Sequence, residues 1–202
     1  MSKYNEFKQV NFLSRLSTLK GKILELGFGD AETLFHYHHD ADVVAIEKNR
    51  KWVDLAREKL DSRGFSHVRV MNGSAEELPF PDGEFDFITS SFMLCSVDSQ
   101  PDAIREMYRV LKAGGSYIAL EHTLSKNSLF RGLQKLLAKP VSKIADNCHL
   151  NSDPLSVIGM QPFQVLKAEY FPYYLEPPLY IEAKKIQATR RTGSVIMEAG
   201  SK

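Results

Sequence analysis

The sequence predicts an α/β protein with a doubly wound sheet of seven strands, mostly parallel and ending in an antiparallel hairpin. Short runs of apolar and β-branched residues alternate with helix-length segments up to about residue 122, which is the pattern of consecutive β-α-β units. A glycine-containing turn directly follows the first of these runs. Two more strand-like runs near the C-terminus are joined by a proline-rich connection, which favours a hairpin over a helical crossover.

The first five predicted strands are apolar runs of the kind that parallel sheets bury on both faces. They lie at residues 22–26, 42–47, 68–71, 85–90 and 116–121. The two strands of the hairpin are predicted at residues 163–171 and 179–186. Right-handed crossovers are expected between the parallel strands.

Helices are expected at the N-terminus and between the strands. Apolar residues at steps of three from Phe7 to Leu19 predict an amphipathic helix over residues 1–19. The other helices are predicted at residues 31–39, 49–63, 101–111 and 128–144.

Length and composition indicate one ordinary globular domain. The chain has 202 residues, of which 43% are hydrophobic, enough for one core without a disulfide or metal. The domain is expected to span residues 1–188, and residues 189–202 lack periodicity and are expected to form a flexible tail. We expect a monomer.

Charge and cysteine usage narrow the class of protein. The 26 basic and 25 acidic side chains leave a net charge of +1, which argues against a strongly basic nucleic-acid-binding protein. Two cysteines, Cys95 and Cys148, make no disulfide framework and fit a reducing compartment. With no signal-peptide pattern and no long apolar run, a cytoplasmic protein without a membrane anchor is expected.

The turn around Gly27 and Gly29 is the most informative motif. It stands at the carboxyl end of the first strand, where open parallel sheets bind their ligands. Glu25 lies two residues before the turn, and Glu47 ends the second strand, where a carboxylate can accept both hydrogen bonds of a ribose diol. This Rossmann-like arrangement predicts a cofactor that contains a nucleoside.

The charges near the turn favour S-adenosylmethionine (SAM) over a dinucleotide. Glu32 occupies the position of the third glycine of a dinucleotide fingerprint, and Asp30 adds a carboxylate that would repel a pyrophosphate. The same acids would attract the ammonium and sulfonium groups of SAM. A nicotinamide-dependent oxidoreductase is therefore the less favoured alternative, and a SAM-binding domain without catalysis is another.

Four segments, in this order, resemble the class I SAM-dependent methyltransferases, and in particular their type 11 branch: residues 25–31, Glu47, residues 73–80 and residues 109–115. Shorter matches at 94–97, 121–122 and 146–150 are similar to small-molecule methyltransferases that act on alkyl thiols. The resemblance implies SAM as methyl donor, S-adenosylhomocysteine (SAH) as product, and a small, lipophilic acceptor. The accepting atom, whether sulfur, oxygen, nitrogen or carbon, stays open.

The resemblance also implies which residues contact the cofactor. They are Glu25, Gly27, Phe28, Gly29, Glu47, Lys48, Ser74, Ala75, Glu76, Ser90 and Ser91. Glu47 would hold the ribose hydroxyls, Ala75 would meet the adenine edge, and Ser90 would face the methionine ammonium. Two positions depart from the family pattern: Ser74 stands where aspartate is usual, and Asp30-Ala31 replaces the commoner Thr-Gly.

The candidates for catalysis lie at the far end of the fifth strand and in the segment after it. His122 follows that strand and has the pKa range of a general base, although it could equally cap the strand by hydrogen bonding. Asp146 is the second catalytic candidate. Residues 1–19 are expected to form a lid and residues 124–162 the substrate side of the pocket, with Tyr4, Cys148 and His149 contacting the acceptor.

No metal site is predicted, because none of these residues has the spacing of metal ligands along the chain. His36, His38 and His39 are expected to form a solvated face of the second predicted helix, where His36 and His39 could lie on one side.

Overall fold

A computed structural model describes residues 3–143, 148–171 and 177–186. In it, seven strands form one sheet in the order β3-β2-β1-β4-β5-β7-β6. The strands are β1 (Gly21–Leu26), β2 (Ala41–Glu47), β3 (Val68–Asn72), β4 (Phe85–Ser91), β5 (Leu111–His122), β6 (Phe163–Tyr170) and β7 (Pro178–Lys185). The strands β1 to β5 pair in parallel, and β7 pairs antiparallel with both β5 and β6. The predicted fold class is confirmed.

The helices lie between the strands and ahead of β1. They are α1 (Lys3–Phe7), a π-helical turn (Lys8–Leu13), α2 (Ser14–Leu16), a 3-10 turn (Thr33–His36), α3 (Arg50–Arg63), α4 (Gln100–Val110), α5 (Ser128–Ser142) and α6 (Pro154–Ile158). Asn49 and Ser99 cap α3 and α4, because their side chains accept hydrogen bonds from backbone amides of the first turn. No helix in the described parts of the chain is long and apolar enough to cross a membrane.

The helix predicted over residues 31–39 is wrong, since only the single turn Thr33–His36 forms there. Ala31 has a φ of 68°, outside the helical region, so the chain is still turning where the helix was expected to begin. Tyr37 already has extended dihedrals and ends the turn. His36 and His39 therefore do not share a helix face.

Both faces of the sheet are covered by apolar side chains, as a parallel sheet requires. Leu24 and Leu26 of β1 pack into the core that also contains the inner face of α4. Ile23 of the same strand points into a second core with α3 and the N-terminal helical segment. Phe12 and Leu16 are fully buried in this second core, so residues 8–16 belong to the folded body of the protein. Any lid movement of the N-terminus remains a prediction for its first turns.

The order of the strands creates a switch point beside β1. The chain runs outward from β1 to β2 and β3 and then returns to β4 on the other side of β1. Two crossovers leave the carboxyl ends of β1 and β4 in opposite directions, and the gap between them is where such sheets bind ligands. The connection from β3 to β4, residues 73–84, is fully described and contains no helix.

Arg109 of α4 holds this long connection in place. Its guanidinium donates hydrogen bonds to the carbonyl oxygens of Leu78 (2.9 Å) and Phe80 (2.7 Å). The same group pairs with Glu106, whose carboxylate also accepts the Leu78 amide at 3.0 Å. A planar fork with five donors is needed to serve several acceptors at once.

We predict that Arg109→Lys lowers the free energy of unfolding by about 1–3 kcal/mol, since an ammonium cannot replace the fork. Arg105→Lys on the same helix is the control, because the Arg105 side chain is exposed and forms an ion pair with Asp102. That control should change stability by less than about 0.5 kcal/mol. Urea unfolding of both variants checks this, and equal losses would contradict the role of Arg109.

Candidate functional site

A cavity of about 450 Å³ opens at the carboxyl ends of β1, β2 and β4. Its volume is in the range of sites for small molecules and cofactors. Most of the residues expected to bind the cofactor line it, namely Gly27, Gly29, Glu47, Lys48, Ser74, Ala75, Glu76 and Ser91. The structure therefore brings together residues that are up to 64 positions apart in the sequence, between Gly27 and Ser91.

Three residues expected at the cofactor do not line this cavity. Glu25 of β1 is fully buried, and its carboxylate accepts a hydrogen bond from the Thr33 hydroxyl. Phe28 turns into the second core. Ser90 is also fully buried, and its hydroxyl donates to Glu121 at 2.5 Å.

The glycine turn brings the backbone close to a neighbouring segment. Gly27 has a φ of 70° and Gly29 a φ of 51°, both in the left-handed region. A Cβ on Gly27 would lie 2.6 Å from Cγ of Met93, whereas a Cβ on Gly29 would have nothing within 4 Å. The first glycine is needed for packing as well as for its dihedrals, and the second leaves open space at the cavity.

Glu47 is held in a fixed orientation at the edge of the cavity. Its carboxylate accepts hydrogen bonds from the amides of Gly29 (3.2 Å) and Asn49 (2.8 Å). One oxygen is thus tied to the glycine turn and the other to the start of α3. This arrangement can present the remaining lone pairs of a carboxylate to a pair of hydroxyl groups.

Glu76 connects the two loops on the other side of the cavity. Its carboxylate accepts hydrogen bonds from the Ser74 hydroxyl and from the amides of Asp98 (2.8 Å) and Ser99 (3.4 Å). Burial raises the pKa of this carboxyl, but these hydrogen bonds outweigh it and hold the pKa below its ordinary value. Lys48 and Asp98 form an ion pair at the rim, and the Asp98 carboxylate raises the pKa of Lys48.

Residues 24–119 match a protein family described as "Methyltransferase domain". By this match residues 24–119, which are 96 of the 202 residues, are a methyltransferase domain. The resemblance seen in the sequence is confirmed at this level.

Curated relatives agree with this family. A demethylmenaquinone methyltransferase of Anoxybacillus flavithermus is 34% identical over 114 residues, which are 54% of this chain and 48% of the relative. A ubiquinone/menaquinone biosynthesis C-methyltransferase of Shewanella sediminis is 32% identical over 153 residues, 71% of this chain and 61% of the relative. The chain thus spans about half to three fifths of the length of these relatives.

Solved structures share the fold at low sequence identity. The YcgJ protein of Bacillus subtilis superposes with a TM-score of 0.75 at 16% identity, covering 90% of this chain and 99% of the other. A geranyl diphosphate C-methyltransferase of Streptomyces coelicolor gives a TM-score of 0.71 at 16% identity, covering 90% of this chain and 78% of the other.

The buried carboxylate of Glu121 holds the loop that follows β4, and this loop forms one wall of the cavity. Glu121 accepts hydrogen bonds from the amides of Met93 (3.3 Å) and Leu94 (3.1 Å) as well as from Ser90. Met93 and its neighbour Phe92 line the cavity. Burial raises the pKa of Glu121 to about 7, against the hydrogen bonds and the charge of His122 that favour its ionised form.

The catalytic and acceptor candidates lie beside this loop, outside the cavity lining. The His122 ring is half-buried and stacks on Phe92 with 4.3 Å between ring centroids, and its Nδ1 lies 3.7 Å from Sγ of Cys95. Cys148 Sγ lies 3.4 Å from the same sulfur. His149 lies against the carbonyl oxygen of Cys95, which accepts its backbone amide at 2.7 Å.

The remaining candidates are placed as follows. Asp146 lies outside the described residues. Tyr4 contacts the Phe171 ring at 6.2 Å and does not line the cavity, and burial together with the charge of Glu32 raises its pKa to about 12. His38 and His39 surround Asp40 on the exposed surface at the start of β2, away from the cavity.

Several cavity residues carry no motif in the sequence. Trp52 of α3 and the residues after β4, among them Phe92, Met93 and Val97, form much of its apolar wall. Their position just after the carboxyl ends of β2 and β4 is the only signal that could have found them.

The two glycines of the turn offer a matched pair of variants. We predict that Gly27→Ala lowers the free energy of unfolding by about 2–4 kcal/mol, because left-handed dihedrals and the overlap with Met93 both oppose a Cβ. Gly29→Ala meets only the first cost and should lose about 1–2 kcal/mol. Denaturant unfolding measures both, and equal losses would mean that the Met93 contact does not matter.

Buried Glu25 and Glu121 make stability depend on pH. Burial raises the pKa of each to about 7 from an ordinary 4.5, so the folded state binds these protons more tightly than the unfolded chain. The resulting stabilisation is complete below about pH 4.5 and is lost as the pH rises through about 7. Each carboxyl contributes on the order of 1–3 kcal/mol to this loss.

We therefore predict that Glu25→Gln loses less stability between pH 5 and 8 than the unmodified protein. Glu58→Gln, which alters an exposed side chain on α3, is the control and should leave the pH dependence as it was. Denaturant unfolding at several pH values gives the comparison. An unchanged slope for Glu25→Gln would show that its carboxyl titrates alike in both states.

Proposed function

We propose that this protein transfers the methyl group of SAM to a small, lipophilic acceptor. The observation that carries the proposal is the carboxylate of Glu47, held by two backbone amides at the edge of a cavity beside the switch point of the sheet. A fixed carboxylate at this position is suited to a ribose diol. The family to which residues 24–119 belong supports the same cofactor.

The charge of the cavity supports a cationic cofactor. Its ionisable lining residues are Glu47, Lys48, Glu76 and Asp98, so that three carboxylates face one ammonium. Lys48 is already paired with Asp98. Such a lining attracts a sulfonium and repels a pyrophosphate, which argues against a nicotinamide dinucleotide.

SAM supplies an activated methyl group on a sulfonium, so the residues of the chain mainly have to position and shield the reactants. Glu47 would orient the ribose, and the backbone at Gly27 and Gly29 would let the ligand approach closely. Phe92, Met93 and Val97 give the cavity an apolar wall beside the loop fixed by Glu121. This wall would exclude water and suits an apolar acceptor.

The names of the relatives support an acceptor with apolar character. They are a demethylmenaquinone methyltransferase and ubiquinone/menaquinone C-methyltransferases. Since the chain spans only part of their length, the quinone substrate itself is not carried over. We propose the broader class, a small lipophilic molecule.

Glu47→Gln should weaken the binding of SAM and SAH by about 10- to 100-fold, because hydrogen bonds to a charged group contribute about 1.5–3 kcal/mol. Asp42→Asn is the matched control, since Asp42 lies on the same strand at the end away from the cavity. Isothermal titration calorimetry measures the affinity of both variants, with NAD as a control ligand that is expected not to bind. Equal affinity of the folded Glu47→Gln protein would contradict the ribose role.

Catalysis is tested separately from binding. Methyl transfer from isotope-labelled SAM should be detected with a panel of lipophilic acceptors that offer a thiol, a hydroxyl, an amine or a reduced quinone ring. Binding of SAM without transfer to any of them would support a SAM-binding domain without catalysis instead.

A further inference from the structure

Three side chains with soft donor atoms meet beside the cofactor cavity. The two sulfurs of Cys95 and Cys148 and a ring nitrogen of His122 all lie within 4.8 Å of one another. The sulfurs are 3.4 Å apart, and Cys95 Sγ is 3.7 Å from His122 Nδ1. These residues come from the loop after β4, the end of β5 and the segment before α6.

The distances agree with a tetrahedral zinc site. With Zn–S bonds of about 2.3 Å and Zn–N bonds of about 2.0–2.1 Å, two sulfur ligands lie about 3.8 Å apart and a sulfur and a nitrogen about 3.6 Å apart. The observed separations of 3.4 and 3.7 Å differ from these by a few tenths of an ångström. Small side-chain movements would close the set around an ion.

The chemistry of the donors selects the metal. Thiolate and imidazole ligands favour zinc over magnesium or calcium, which take oxygen ligands. Two thiolates would also neutralise a divalent ion, so the half-buried site would gain no net charge next to the buried Glu121. The exposed group of His38, His39 and Asp40 offers no sulfur and is a weaker match.

We propose that Cys95, His122 and Cys148 form a zinc-binding site whose fourth position is left open by the residues that the structure describes. Three protein ligands and one open position are the arrangement of catalytic zinc sites. The site would give His122 the role of a ligand in place of the general base expected from its position. Metal binding itself does not depend on the proposed methyl transfer, and only the use of the fourth position rests on that function.

The surroundings of the ligands support a site that is held in shape. Cys95 is 1% exposed, and its carbonyl oxygen accepts the amide of His149, which ties the segment carrying Cys148 to the loop after β4. The His122 ring is oriented by its stacking on Phe92. Ordered neighbours of this kind orient metal ligands in proteins.

The position of the site connects it to the cavity. Phe92 stacks on His122 and also lines the cavity, and Ser96, the neighbour of Cys95, lines it too. The fourth position could take a water molecule or a donor atom of the methyl acceptor. The site thus lies where an acceptor would approach the cofactor.

Metal titration of the full chain tests the proposal. The reduced protein, freed of metal with a chelator, is titrated with Zn²⁺ and with Co²⁺ as a spectroscopic probe, while its thiols are counted. We expect one equivalent of each metal, with thiolate-to-cobalt charge-transfer bands and the intense visible bands of tetrahedral cobalt. Cys148→Ser, which alters a half-buried side chain, should weaken zinc binding by about 100-fold or more and remove part of the charge-transfer intensity.

His122→Ala should weaken the metal in the same way, and His39→Ala is the matched control that should leave binding unchanged. Absence of stoichiometric zinc binding by protein with two free thiols would overturn the proposal. So would binding that is lost in His39→Ala but retained in Cys148→Ser. A disulfide between Cys95 and Cys148 that forms in air and is not prevented by Zn²⁺ would also count against the site.

SAH calorimetry on the same preparations separates the two proposals and confirms that each variant is folded. Zinc binding without SAH binding would leave the metal site standing and remove the proposed function. SAH binding without zinc binding would overturn the metal site and leave the proposed function standing.

Discussion

The buried carboxylate of Glu121 is the interaction on which the rest of the site depends. It lies near the end of β5, beside the central strand β4, and it accepts hydrogen bonds from the amides of Met93 and Leu94 on the loop after β4. That loop supplies the apolar wall of the cavity on one side and Cys95 on the other. A fully buried carboxyl is costly, as its raised pKa shows, and its retention here is balanced by the donors that it organises.

The loop that Glu121 holds also restricts the glycine turn after β1. The Met93 side chain fills the space that a Cβ on Gly27 would need, so the turn after β1 and the loop after β4 are packed against each other. Glu47 ties the other end of the turn to β2 through the amide of Gly29. The cavity is therefore shaped by three adjacent strands acting together, and its shape depends on contacts between residues far apart in the sequence.

The strands and the long helices could be predicted from the sequence because their apolar periodicity and end signals agree with the final packing. The segment after the glycine turn could not, since Ala31 has a positive φ that alanine seldom adopts, although the family pattern usually has a glycine at this position. The cavity-lining residues that belong to the cofactor-binding motifs, such as Gly27 and Glu47, were predicted from those motifs. Glu25 and Ser90 were expected at the cofactor, but their side chains point into the protein body, and strand alternation alone does not say which neighbour faces the ligand.

The cluster of Cys95, His122 and Cys148 could not be predicted from the sequence for a different reason. Metal sites are recognised in sequences by close spacing, but Cys95 and Cys148 are 53 residues apart. Cys95 follows the end of β4 and His122 is the last residue of the paired strand β5, so their proximity could have been inferred from sheet order. Nothing in the sequence brings Cys148 to them, because that contact depends on how Cys148 and His149 pack against the loop after β4.

The excess of carboxylates around the cavity has a consequence for the direction of ligand exchange. A sulfonium carries a positive charge that its demethylated thioether product lacks, so the same lining attracts the donor more strongly than the spent molecule. Each turnover would remove the charge that helped to hold the ligand in place. Fresh donor would then displace the product readily, and raising the salt concentration would narrow the difference between the two affinities, because added ions screen the carboxylates.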